Sequence, residues 1–195
     1  MNRETQIQNL SREQNRALFL DRDGVINVNY GYVYHAENFE FIDGIFDVAR
    51  AAHSFNYKLI IITNQSGIGR GYYSEEQFLS LTEWMCNEFI NKGVPIEKVY
   101  FSPFHPTEGL GKYRKNHVSR KPNPGMIYQA QKDINLNLKK SMLIGDNISD
   151  IQAGIVAGVG INLLLGHKKV PKLSWTSCKV IANLHEALYF INDRS

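Results

Sequence analysis

The chain has 195 residues, 43% of them hydrophobic, and 22 basic against 19 acidic side chains give a formal net charge of +3. That is enough apolar material for one domain with a full core, and too small a basic excess to mark a nucleic-acid binder. No apolar stretch is long enough to cross a membrane, and the polar, mixed-charge start of the chain lacks the apolar core of a signal peptide. Cys86 and Cys178 are far apart and in no metal-like spacing. Two free thiols suit a reducing compartment, with one disulfide as the alternative. The expectation is a cytoplasmic protein with no nucleic-acid or membrane partner.

Residues 1–16 read as an N-terminal arm, irregular or with a short helix from Ser11, and 17–195 as a single domain. The run ALFLDRDGVI at 17–26 is apolar and ends in two carboxylates, Asp21 and Asp23, followed by Gly24. A short continuous apolar run fits a strand buried on both faces, and functional groups in open α/β sheets gather at the carboxyl ends of strands. Two nearby carboxylates repel unless a cation or a proton lies between them. The alternative is an ordinary surface turn. The aromatic segment 27–35, with Tyr32 and Tyr34, would overhang this strand end or simply pack on the domain. Residues 43–55 predict a helix with Ile45, Phe46, Val48, Ala49 and Ala52 on its apolar face.

Residues 58–67 read as a second buried strand that also ends in polar residues, and Thr63 and Asn64 would lie beside Asp21 if the two strands are neighbours. Residues 68–71 read as a glycine-rich loop whose backbone N–H groups, with Arg70, suit phosphate oxygens; a plain connector is the alternative. Ser74 to Gln77 has the pattern of a capping box, starting a helix that runs to about Asn91. After a third short strand, 98–101, the irregular stretch 102–124 is long enough to be functional. Lys121 stands at its end, immediately before Pro122 and Pro124, on stiff backbone that would carry it into the site or leave it solvated. A fourth apolar run ends in Asp146, and Asp150 would share its helix face or serve as a dipole partner. Residues 160–166 and 179–182 predict strands, 184–191 an amphipathic helix, and 167–169 a solvated loop.

Together the DxD of 21–23, the strand-end Thr63, Lys121 and the GDxxxD of 145–150 resemble the haloacid dehalogenase (HAD) superfamily over roughly 17–166. FLDRDG at 19–24, TNQSGIGRG at 63–71 and RKPNPGM at 120–126 resemble its heptose-1,7-bisphosphate phosphatase and histidinol-phosphatase group, and GYV at 31–33 with NFEFIDG at 38–44 points to the heptose branch. The resemblance implies an α/β, three-layer Rossmann-like fold with a central, mostly parallel sheet and loop insertions in place of a large cap domain. It implies Mg²⁺-dependent removal of the 7-phosphate of D-glycero-D-manno-heptose 1,7-bisphosphate through an aspartyl-phosphate, in the synthesis of nucleotide-activated heptose for a bacterial surface glycan. Histidinol-phosphate or polynucleotide 3′-phosphatase activity, and a non-catalytic phospho-ligand module, are the alternatives.

On the same resemblance Asp21 is the nucleophile and Asp23 the general acid and base. Thr63 and Asn64 hold phosphoryl oxygens, and Lys121 offsets their charge. Gln65, Ser66, Arg70, Tyr32 and Arg120 are further substrate contacts. Mg²⁺ takes Asp21, Asp146 and the backbone carbonyl of Asp23, with Asp150 and Asn147 supporting from outside the ligand set. The protein is expected to be a monomer acting on a small sugar phosphate. Members of this group usually carry a Cys-x-His…Cys-x-Cys zinc site in the long loop. The matching positions here are Ser102, Phe104, His117 and Ser119, so no structural zinc is expected.

Overall fold

The computed structural model describes residues 14–166 and 177–191. Most of the N-terminal arm and the 167–169 loop lie outside the described residues. Six strands, β1 (Arg16–Leu20), β2 (Tyr57–Asn64), β3 (Lys98–Ser102), β4 (Met142–Gly145), β5 (Ile161–Leu165) and β6 (Cys178–Ile181), form one sheet in the order β3-β2-β1-β4-β5-β6. Every pairing is parallel. This is the three-layer Rossmann-like α/β architecture expected from the motifs.

Successive strand residues face opposite sides of a sheet, and here both sides are covered, which is why the strands read as unbroken apolar runs. Leu18, Leu20, Leu59, Ile61, Ile144 and Leu163 join one core with Ile45, Val48 and Ala52 of α1 (Ile45–Ser54) and Leu81, Met85 and Phe89 of α3 (Glu75–Asn91). Ala17, Phe19, Ile60, Ile62, Leu143 and Leu164 join the other with Met126, Ile127 and Ala130 of α4 (Gly125–Ile134) and Ile151 and Ala153 of α5 (Ile148–Ala157). Cys86 packs against the first core and Cys178 against the second, and both thiols are free, which settles the disulfide question.

The chain leaves β1 toward β2 and leaves β4 toward β5, so the carboxyl ends of β1 and β4 flank the crevice where the order reverses, the usual ligand site of such sheets. Three expectations need correction. The glycine-rich segment is not a loop but lies largely in a short helix, α2 (Ser66–Arg70). Its glycines admit close neighbours: a Cβ on Gly67 would lie 2.2 Å from the Tyr73 ring, and one on Gly69 2.2 Å from the Pro103 carbonyl oxygen. The segment Leu184–Tyr189 is a 3₁₀ helix, capped by Asn183 accepting from the Glu186 N–H at 3.2 Å. Asp146 precedes α5 instead of sharing a helix face with Asp150. The capping box at Ser74 forms as expected, with both of its hydrogen bonds present. No helix among the described residues is long and apolar enough to cross a membrane.

Candidate active site

The parallel pairing of β1 and β4 continues one residue past β1, because Asp21 N–H donates to Ile144 O at 3.0 Å. That brings Asp21 to the end of β4. The chain then turns at Gly24, whose φ of +90° is open to glycine and strained for other residues, and a Cβ here would lie 2.5 Å from Asp146 Oδ2. Glycine thus lets the β1 turn pack directly on Asp146. Asp21, Asp146 and Asp150 each place a carboxylate oxygen within 4.8 Å of the others.

Lys121 is buried among them, with Nζ 2.8 Å from Asp21 Oδ1 and 2.8 Å from Asp150 Oδ1. A third bond from Nζ to Ile62 O, at 2.8 Å, completes the donors of the ammonium. Asn64 fixes the lysine's backbone: its Oδ1 accepts from Lys121 N–H at 3.0 Å and its Nδ2 donates to Lys121 O at 3.1 Å. The second Asp150 oxygen accepts from Asn147 N–H at 2.9 Å, tying the group to the start of α5. Burial pushes the Asp21 carboxyl up to about 7, against the pull of Lys121 and with a further push from Asp150. At Lys121 the same burial works to lower the ammonium, but Asp150 and Asp21 outweigh it and raise it to about 12. The lysine is therefore a fixed positive charge at neutral pH, while burial favours the protonated form of Asp21 when no cation is bound.

A polar cavity of about 240 Å³ opens over this group, lined among others by Asp21, Asp23, Tyr32, Thr63, Ser66 and Lys121. A larger hollow of about 570 Å³ lies within the 30–40 segment and shares Gly31 and Tyr32 with it, but contains none of the strand-end carboxylates. Tyr32 thus reaches the site, held edge-on against Tyr72 at 4.7 Å between ring centroids. Arg70 and Arg120 do not line the cavity. The Arg70 guanidinium lies 5.8 Å from the Tyr32 ring and pairs with Glu108, and Arg120 Nη1 donates to Phe104 O at 2.9 Å. Burial and then the neighbouring Arg70 hold the Arg120 guanidinium below its ordinary value.

Two side chains have partners other than those expected. Asn64 lines the cavity and also pairs with the Lys121 backbone, as described. Gln65 is 2% exposed, and its Nε2 donates to Asp23 Oδ2 at 3.0 Å and Thr63 Oγ1 at 2.8 Å. The residues that sequence reasoning missed are Arg22, Asn27 and Tyr73, which complete the surroundings of Asp23. The sequence holds no signal for the burial of Arg22, because an arginine between two acids in a strand-end turn reads the same whether it is solvated or enclosed.

The four positions aligned with a zinc site do converge. Ser119 Oγ donates to Ser102 Oγ at 3.0 Å, His117 Nδ1 lies 2.7 Å from Ser119 Oγ, and the Phe104 ring stacks on the His117 imidazole at 4.0 Å. Tyr113 packs on the far side of the same cluster, 5.9 Å from Phe104, whereas Phe101 packs on Phe78 at 4.6 Å.

A HAD-hydrolase-like family model matches residues 118–187. The D-glycero-α-D-manno-heptose-1,7-bisphosphate 7-phosphatase of Burkholderia mallei is 50% identical over 178 residues, 91% of this chain and 94% of that protein. The chain belongs to the heptose-1,7-bisphosphate 7-phosphatase family. The Escherichia coli K12 member, a D-glycero-β-D-manno-heptose-1,7-bisphosphate 7-phosphatase, is 42% identical over 149 residues, 76% of this chain and 78% of that one. The fold also matches the crystal structure of D,D-heptose 1,7-bisphosphate phosphatase from B. bronchiseptica complexed with magnesium and phosphate, with a TM-score of 0.76, 22% identity, and coverage of 90% of this chain and 97% of that one.

The residues present fit Mg²⁺. Clustered carboxylates offering only oxygen are the donor set this ion prefers, with substrate and water completing its shell. Bound there, the ion would neutralise charge between the carboxylates and an incoming phosphate. Binding requires Asp21 ionised, and an acid whose value is raised to about 7 is protonated below that pH. Mg²⁺ affinity should therefore fall by about tenfold per unit as pH drops below 7, and level off above it. The same shift makes Asp21's contribution to metal-free stability present below its ordinary 3.8 and lost as pH rises through about 7. Calorimetric titration of metal-free protein with Mg²⁺ between pH 5.5 and 8.5 checks the first point; a flat affinity would show that Asp21 is ionised throughout.

Proposed function

We propose that this chain removes the 7-phosphate of D-glycero-D-manno-heptose 1,7-bisphosphate by transferring it first to Asp21. The observation that carries the reading is the buried Asp21–Lys121–Asp150 array at the floor of a polar cavity, beside Asp146. Arg22 N–H at 2.7 Å and Lys121 Nζ at 2.8 Å both meet Asp21 Oδ1 and hold the carboxylate in place for attack. As the bond from the Asp21 carboxylate to phosphorus forms and the bond from phosphorus to the sugar oxygen breaks, Asp23 gives its proton to that oxygen. Water then attacks the aspartyl-phosphate, returning a proton to Asp23 and freeing phosphate and the Asp21 carboxylate. Lys121 stays charged throughout and faces the charge that builds on the phosphoryl group. Thr63 and the α2 start at Ser66 border the phosphoryl site, and Asn64 acts by fixing Lys121.

Tyr32, with Arg70 and Arg120, receives the rest of the substrate, whose second phosphate would meet two guanidinium groups. The protein acts as a cytoplasmic monomer on a small molecule, supplying nucleotide-activated heptose for a bacterial surface glycan; its net charge of +3 gives nucleic acid little to hold. Phosphate release with Mg²⁺ should be measured from both anomers of the heptose bisphosphate, histidinol phosphate and a 3′-phosphorylated oligonucleotide. One heptose anomer should exceed the other two classes in kcat/KM by about 100-fold. Preference for histidinol phosphate or the oligonucleotide would overturn the substrate, and release from none of them would leave a non-catalytic module.

The long loop holds together without zinc in this reading. The Ser102–Ser119–His117 hydrogen bonds and the Phe104 stack occupy the place of the metal, and Arg120 and Asn123 tie the loop's backbone through Phe104 O and His117 O. Hydroxyls and a phenyl ring are poor zinc ligands. Elemental analysis of protein purified without added metal should find well under one zinc per chain, and a zinc-selective chelator should leave Tm unchanged. Stoichiometric zinc would mean that other side chains ligate it and that the neighbouring Arg120 needs reassignment.

A further inference from the structure

Arg22 carries a buried charge that the reaction itself does not consume. It is 1% exposed and heads the largest fully buried side chains. Its Nη2 lies 2.8 and 2.9 Å from the two Asp23 oxygens and donates to Val33 O at 2.7 Å, while Nε and Nη1 have no hydrogen-bond partner among the described residues. The Phe78 ring, 5.8 Å from Cζ, offers only a weak cation–π contact. An enclosed guanidinium with two unpaired nitrogens destabilises a fold, and a packed hydrophobic side chain would serve stability better. Sites that break such a rule are usually functional.

Arg22 does not act on Asp23 alone. Asn27 Nδ2 donates to Asp23 Oδ1 at 3.1 Å, and Gln65 Nε2 donates to Oδ2 at 3.0 Å. The Gln65 amide nitrogen thus faces Asp23, and its oxygen faces Tyr73. There Oε1 accepts from the Tyr73 hydroxyl. Burial raises the Tyr73 phenol above its ordinary value, which keeps it a donor. Both oxygens of Asp23 are thereby held, although its side chain stays 21% exposed toward the cavity it lines.

We infer that Arg22 is a positioning residue for proton transfer, which with Asn27 and the Tyr73–Gln65 pair sets the orientation from which the Asp23 carboxyl reaches the leaving oxygen. This rests on the phosphatase reading above. A sugar alkoxide needs that proton as the phosphorus–oxygen bond breaks, whereas p-nitrophenolate departs as a stable anion near neutral pH. The quantity kcat/KM covers events only through leaving-group departure, so the later attack of water does not enter it.

The test is kcat/KM for the heptose bisphosphate and for p-nitrophenyl phosphate in wild type, Arg22→Met and Tyr73→Phe. Arg22→Met should lose about 100-fold on the sugar substrate and less than about fivefold on the aryl one, and Arg22→Lys should recover part of the difference. Tyr73→Phe, which keeps the ring and its packing, should show the same split at about fivefold on the sugar substrate and carries the test if Arg22→Met does not fold. Equal losses on both substrates would make the cage merely structural and overturn the inference. A wild-type protein inactive on both would instead overturn the phosphatase reading on which it rests.

Discussion

Asp21→Asn should lower kcat by about 10⁴-fold or more while the protein stays folded. The substitution barely changes volume, but an amide is no nucleophile toward phosphorus and offers one acceptor fewer to a cation. Lys121 retains Asp150 and Ile62 O as acceptors, so the buried ammonium is not stranded. Burial outweighs Lys121 in setting the Asp21 proton, so the metal-free variant should match or exceed wild type in Tm above pH 7. Quenched-flow trapping of labelled phosphoenzyme checks the role directly: wild type should accumulate acid-stable label and the variant none. Phosphate release at the wild-type rate would rule out the covalent route. Asp23→Asn should also be severely slow, but for protonation and not for attack.

Lys121→Met should have the second-largest effect, on both rate and stability. It removes the charge facing the phosphoryl group, a loss of about 10²–10³ in kcat for interactions of this kind. It also leaves Asp21 and Asp150 buried next to each other with no cation, and breaking a buried ion pair from one side costs about 3–5 kcal/mol. Mg²⁺ at the neighbouring carboxylates offsets part of that charge, so urea midpoints of the variant should rise more on adding Mg²⁺ than those of wild type. A variant as stable as wild type in EDTA, with turnover intact, would show that Lys121 neither holds the carboxylates nor assists the transfer.

Much of the fold was legible because buried parallel strands leave a plain mark. Residues 17–20, 59–62 and 142–145 are apolar throughout, and each run ends in residues that cannot be buried without a purpose: Asp21, Thr63 and Asp146. The rule that functional groups gather at strand carboxyl ends then brings distant segments to one lip. Less legible were features decided by packing against remote chain. A glycine-rich run reads as a loop, yet Gly67 and Gly69 sit in a helix packed so closely by Tyr73 and Pro103 that a Cβ would clash. The last helix has an amphipathic pattern, but pattern alone does not distinguish a 3₁₀ from an α hydrogen-bond ladder in six residues.

The sequence by itself determined the order of the strands' polar ends, the presence of clustered carboxylates with a lysine, and the loss of thiolates from the long loop. These are properties of residue type and spacing, readable without neighbours. Only the tertiary structure decided what each polar side chain is bonded to. Asn64 meets Lys121 across 57 residues and Gln65 meets Asp23 across 42, so nothing in either local segment records the pairing. Arg22 shows the limit most sharply. An arginine in a turn between two acids reads the same whether it is solvated or enclosed, and burial is a property of the surrounding fold: here Val33 and Phe78 close over it and leave Asp23 as its charged partner.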